Sequence, residues 1–219
     1  MRFHHKALLV LATFIGVSEI NAQSSLNIDF DQVYSKFNFN SSLTSNAGNG
    51  FNYLNTGAYH IGYQAVKDNG VMFGLCGGTR NSGALNALGN TNYTWNYQYA
   101  EAQLSIGYMF SKWRIRPYVM ASPYVAYLLS ATEVVGPLLY DNKANGATTT
   151  TDMGVIGTAG ARVYLSEYIN MYSSINSIVG LKNIETLSGK ETYNRGFYLN
   201  IGIAFTITKT LPRWIQQQH

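Results

Sequence analysis

The chain has one cysteine, Cys76, so no internal disulfide can brace it, and no thiol lies near the N-terminus to carry a lipid. Charged residues make up 12% of its 219 positions, about half the ~25% usual in soluble domains. The net charge of +4 includes Arg2 and Lys6 and is not clustered afterwards. No Lys/Arg run with interleaved aromatics occurs, which excludes nucleic acid as an expected partner. Proline is scarce at four, and no apolar run is long enough to cross a bilayer as a helix. Mean hydropathy is −0.07, so the chain does not read as a helical membrane protein.

What is present begins with an address. Arg2, His4, His5 and Lys6 form a positive segment, Ala7 to Val17 an apolar one, and Asn21-Ala22-Gln23 a junction cleavable after Ala22. That order is a secretory signal peptide, 1–22, leaving a single domain over 23–219. The remaining ~195 residues suffice for one all-β domain. Seventeen tyrosines and 21 glycines fit strands whose two faces meet different solvents.

The mature chain reads as four hairpins, with strands near 27–40, 56–66, 71–80, 96–110, 115–129, 152–165, 169–181 and 195–208. Tight polar turns follow at Lys67-Asp68-Asn69-Gly70, Ser111-Lys112-Trp113-Arg114 and Ser166-Glu167-Tyr168. Between them lie stretches rich in Asn, Gly, Ser and Thr: 41–55, 81–95, 130–151 and 182–194. Short turns alternating with long loops predict a closed antiparallel up-and-down transmembrane barrel of about eight strands, turns in the periplasm and loops outside. A secreted β-sandwich is the soluble alternative, though it has no reason to sort its loops.

Period-2 patterning supports the barrel. In the last strand Phe197, Leu199, Ile201, Ile203, Phe205 and Ile207 share one face; Tyr198, Asn200, Gly202, Ala204, Thr206 and Thr208 share the other. Ala102, Leu104, Ile106, Tyr108 and Phe110 oppose Glu101, Gln103, Ser105 and Gly107. Val155, Ala159, Ala161, Val163 and Leu165 oppose Gly154, Thr158, Gly160, Arg162 and Tyr164. Ile169, Met171, Ile175 and Val179 oppose Asn170, Tyr172, Ser174 and Asn176. The polar faces suit a narrow interior. The facing of strands 1 and 5 stays open; Pro117 and Pro123 predict bulges or unbonded positions in strand 5.

Tyr99-Ala100-Glu101-Ala102-Gln103-Leu104, the run Arg116-Pro117-Tyr118 to Leu129, Asp152-Met153-Gly154 and Val179-Gly180-Leu181-Lys182-Asn183-Ile184 together resemble the PorT-like outer-membrane β-barrel family of Bacteroidota-type bacteria. Ala102 and Gln103 stand where that family has an Ile-Pro pair, and Met120 and Ser122 where it has glycines. The resemblance implies a Gram-negative outer-membrane location and an accessory part in secretion or gliding machinery. The closing strand is similar to the signal read by the barrel-assembly machinery, through Asn200, Gly202, Phe205 and Ile207.

Chemistry is sparsely provided. Hydrolysis or acyl transfer needs a base beside a nucleophile with an orienting carboxylate. The mature histidines are His60 and His219, and no His-x-Ser pair exists. His60 therefore reads as a hydrogen-bonded lumen filler, and no cofactor or metal is expected. Glu101 and Arg162 are the charges placed inside strands 4 and 6, and a narrow lumen predicts that they pair as a structural plug rather than a selectivity site. The leading expectation is a non-enzymatic outer-membrane barrel, its loops serving surface interaction or envelope integrity. The alternatives are the accessory role and a small channel or ligand carrier. The expected partners are outer-membrane lipid, the assembly machinery and an envelope or extracellular protein of unknown identity.

Overall fold

The computed structural model describes residues 22–40, 51–88, 91–110, 113–186 and 191–207. The expected leader, 1–22, lies outside these residues except for Ala22. Nine strands follow in order: β1 Ala22–Asn40, β2 Asn52–Lys67, β3 Val71–Leu88, β4 Thr91–Met109, β5 Ile115–Val135, β6 Leu138–Asp141, β7 Thr151–Tyr164, β8 Ile169–Gly180 and β9 Glu191–Thr206. All neighbours pair antiparallel, and pairing of β1 with β9 and of β4 with β5 closes a ring of eight long strands. The short β6 adds to the upper end of β5. Closure leaves the eight ring strands no unpaired edge.

Strand alternation drives this closure because each strand has a face for the lumen and a face away from it. Ile201 is 60% exposed and its neighbour Asn200 is 5%. The expected faces of β4, β7, β8 and β9 hold over their described residues; Thr208 lies outside them. The two open facings are resolved. Odd residues of β1, from Ser25 to Phe37, point inward, as do even residues of β5 from Arg116 to Leu128. Pro117 and Pro123 both face outward. Beside Pro123, which has no N–H to give, the β4–β5 pairing is interrupted between Gln103/Tyr124 and Ile106/Ala121. Ser122 donates to Ser105 at 2.7 Å across that interruption. A separate bulge leaves Leu129 unpaired, with Tyr99 opposite Leu128 and Gln98 opposite Ser130.

The tight turns rest on local chemistry. Gly70 has φ 90° and its N–H donates to the Lys67 carbonyl at 2.8 Å; a Cβ there would lie 2.6 Å from the Met109 carbonyl oxygen. Abundant Tyr and Gly also find one shared use. Tyr172 lies directly opposite Gly202 across the ladder, and a Cβ on Gly202 would sit 2.2 Å from the Tyr172 ring. Tyr124 opposite Gly154 and Tyr118 opposite Gly160 repeat the arrangement.

One expectation is corrected. The stretch 81–95 is strand over most of its length, because β3 and β4 pair without a break from Val71↔Tyr108 to Leu88↔Thr91. Outward positions of this hairpin are polar, Asn96 and Gln98 among them, so its strand residues have a loop's composition. Parts of 41–55, 130–151 and 182–194 are likewise strand.

Candidate functional site

The interior is layered. Near the open end, Val33, Phe37, Tyr97, Tyr99, Leu128, Ile156 and Ile178 form an apolar layer with Tyr124 and Tyr198. Ile184 joins it from the β8–β9 connection and is 2% exposed. Its N–H donates to Thr192 O and its carbonyl accepts from Thr149 N, each at 2.9 Å, so two connections close over the mouth. Near the tight turns, Val66, Met72, Met109, Tyr118, Tyr172 and Ala204 form a second apolar layer with Met120.

Between the layers runs a chain of charges. Arg80, 1% exposed, donates from Nε to Glu101 Oε2 at 2.8 Å, and its Nη2 lies 3.5 Å from Asp152 Oδ2. Its guanidinium lies over the rings of Tyr99 and Tyr124, 5.3 Å from each centroid. His60 bridges two carboxylates, Nδ1 to Asp31 at 2.9 Å and Nε2 to Glu101 at 2.8 Å. An ionised carboxylate only accepts, so this trio requires a proton on both ring nitrogens or on one of the acids. Gln103 donates to Glu101 at 2.7 Å, and Asn200 to Asp31 at 2.7 Å and to Asp29 at 3.1 Å. Tyr172 donates to Asp29 at 2.5 Å; Asp152 accepts from Tyr124 at 3.0 Å and Asn194 at 2.8 Å.

Glu101 and Arg162 are both buried in the lumen, but the structure does not bring them together. The reason is that β3 lies beside β4 and carries Arg80 to the level of Glu101, whereas the β4–β5–β7 register sets Asp152 level with Glu101 and leaves Arg162 well down β7 toward the tight turns. Arg162 instead donates to Gln64 and lies 5.1 Å from the Tyr172 ring centroid, with no carboxylate within 4.0 Å among the described residues. Of the assembly-signal residues, Asn200 and Gly202 point inward, and Phe205 and Ile207 outward.

Sequence reasoning missed Arg80, Asp31, Asp29 and Asp152. Glu101 shares a face with the chamber residue Gln103, a period-2 signal that places it inside, whereas Gly78, two positions from Arg80, carries no facing signal. Below the network a polar chamber is lined by Asn27, Asp29, His60, Gln64, Cys76, Ser122, Thr158, Arg162 and Asn200, among others. Both ring nitrogens of His60 are engaged by carboxylates, so His60 is not a free base.

The fold is a closed eight-stranded antiparallel β-barrel. Among solved structures it resembles the outer membrane protein OprG from Pseudomonas aeruginosa, with TM-score 0.54 and 10% identity over 86% of this chain and 97% of that one. It also resembles Neisserial surface protein A, with TM-score 0.50 and 12% identity over 85% of this chain and 99% of that one. These likenesses concern the fold. No protein-family model matches the chain, and no curated protein matches it.

Proposed function

We infer that the chain is an outer-membrane β-barrel without catalytic activity, whose closed interior serves stability and whose upper end serves surface interaction or envelope integrity. One observation carries this reading: the outward face is a belt of exposed apolar residues while the inward face is filled by a partnered charge network. Leu104, Ile106, Val125, Ile175, Leu199 and Ile201 are each more than 40% exposed, a surface too apolar and too continuous for water. A soluble sandwich would point such residues into its core.

The interior argues against a channel. Two apolar layers and the Arg80–Glu101–His60–Asp31 chain occupy its cross-section, and eight strands leave room for little beyond side chains. The test is refolding into lipid vesicles followed by planar-bilayer recording. The expected result is lipid-dependent, heat-modifiable migration in gels without stepwise conductance. Steady single-channel currents would replace the closed-barrel reading with a pore, and absence of heat-modifiable migration would remove the membrane reading. The secretion-accessory role and the use of Asn200, Gly202, Phe205 and Ile207 as an assembly signal rest on sequence resemblance and stay within this proposal.

A further inference from the structure

On the outer face of the barrel, Lys36 of β1 lies directly opposite Arg195 of β9. Like charges facing each other across a ladder repel, and a pair of this kind persists more readily when an anion sits between its members. Among the described residues no protein anion does so. Neither residue has a carboxylate within 4.0 Å among the described residues. The sequence stretches 41–50 and 187–190 contain no Asp or Glu. Lys143, by contrast, has a neighbour's carbonyl at 2.7 Å from its Nζ, and Lys182 donates to Thr151.

The surface next to this pair is aromatic. One outward position toward the belt, Tyr34 stacks on Phe197 with centroids 5.0 Å apart and planes at 16°. Tyr53 meets Phe197 edge-on at 5.6 Å, and the Lys36 ammonium lies 5.0 Å from the Tyr53 ring centroid. Further along the same faces the outward residues are Leu199, Ile201 and Phe30, all well exposed. Between them Gln32 donates to Asn55, so the single amide pair on this stretch satisfies itself. Two cations, then aromatic rings, then aliphatic side chains reproduce the polarity of a phosphorylated lipid read from head to tail.

We propose that Lys36 and Arg195 with Tyr34, Tyr53 and Phe197 form a binding site for a phosphate-bearing lipid of the outer leaflet, the phosphate between the two cations and an acyl chain along Phe197, Leu199 and Ile201. The proposal rests on the membrane reading above and places the Asn40 end of β1 and the Glu191 end of β9 on the outside of the cell. Arg195 supplies a planar fork for two phosphate oxygens and Lys36 a point charge.

The test uses the mature chain in phosphatidylcholine nanodiscs doped with lipid A, a phosphorylated glycolipid, released and weighed by native mass spectrometry. Wild type is expected to retain the phosphorylated lipid over phosphatidylcholine, with millimolar inorganic phosphate failing to displace it. The double variant Lys36→Gln, Arg195→Gln should retain it about thirtyfold less, and Arg195→Lys should keep most of the retention. Equal retention by the double variant, no preference in wild type, or displacement by inorganic phosphate would each overturn the site. Heat-modifiable migration of every sample separates the two claims: inserted barrel without lipid preference defeats this site alone, whereas no insertion defeats the membrane reading with it.

Discussion

Replacing Arg80 with methionine keeps most of the side chain's volume and removes its charge from the middle of the barrel. Glu101 then retains the His60 and Gln103 hydrogen bonds, and Asp152 retains those from Tyr124 and Asn194, but both lose their cation. Breaking a buried pair by deleting one partner costs on the order of 3–5 kcal/mol, and the surviving donors put this case toward the lower end. Glu101→Gln in the same chain removes one stranded carboxylate, so the double variant should be more stable than the two single losses add up to, with a coupling of about 1–3 kcal/mol. Recovery stays partial because Asp152 is still unpaired. The parallel cycle with Arg162→Met and Glu101→Gln should be additive within about 0.5 kcal/mol, since those residues share no partner. Urea unfolding in lipid vesicles, followed by gel migration and tryptophan fluorescence, measures all the variants. Additivity of the Arg80 cycle together with strong coupling in the Arg162 cycle would refute the assignment of partners.

Three further outcomes follow from the geometry. An epitope inserted after Asn145, where Ala144 to Gly146 are exposed, should be labelled on intact cells. The same insertion before Asn142, which is buried and donates to Glu133 at 2.9 Å, should impair folding. Gly202→Ala should cost about 1–3 kcal/mol in vesicle unfolding because its Cβ meets a Tyr172 ring tethered to Asp29, and adding Tyr172→Ala should lessen the effect of the Gly202 change. Ile184→Asp should destabilise the cap by placing a carboxylate among Val33, Leu128 and Ile178, detected as faster proteolysis within 142–150 or 181–186.

Much of the architecture was legible in the sequence wherever the outward face and the lumen imposed opposite demands on neighbouring residues. In β4, β7, β8 and β9 that contrast is strong enough that each face could be read residue by residue. It fades above the belt, which is why the β3–β4 hairpin through Asn81-Ser82-Gly83 resembled a loop and turned out to be paired strand. The interior partners were harder to read. His60 was recognisable as an inward residue, but Asp31 lies on β1, whose alternation of Asn27, Asp29 and Asp31 against Ile28 and Phe30 is interrupted by Gln32. Arg80 follows Gly77-Gly78-Thr79, where glycines carry no facing signal. Which charges pair depends on how neighbouring strands are staggered, and that stagger is a property of the closed ring rather than of any one strand.

The most direct test of the account is the lipid neighbour of β9. In a chain with Trp95, Trp113 and Trp214 changed to Phe, Ile201→Trp places an indole on the outward face and Tyr198→Trp places one inside, where Tyr198 is 4% exposed. Reconstituted with brominated phosphatidylcholine, the first is expected to be strongly quenched and the second much less. Equal quenching at both positions would contradict the register, and no quenching at 201 would contradict a barrel that stands in a membrane.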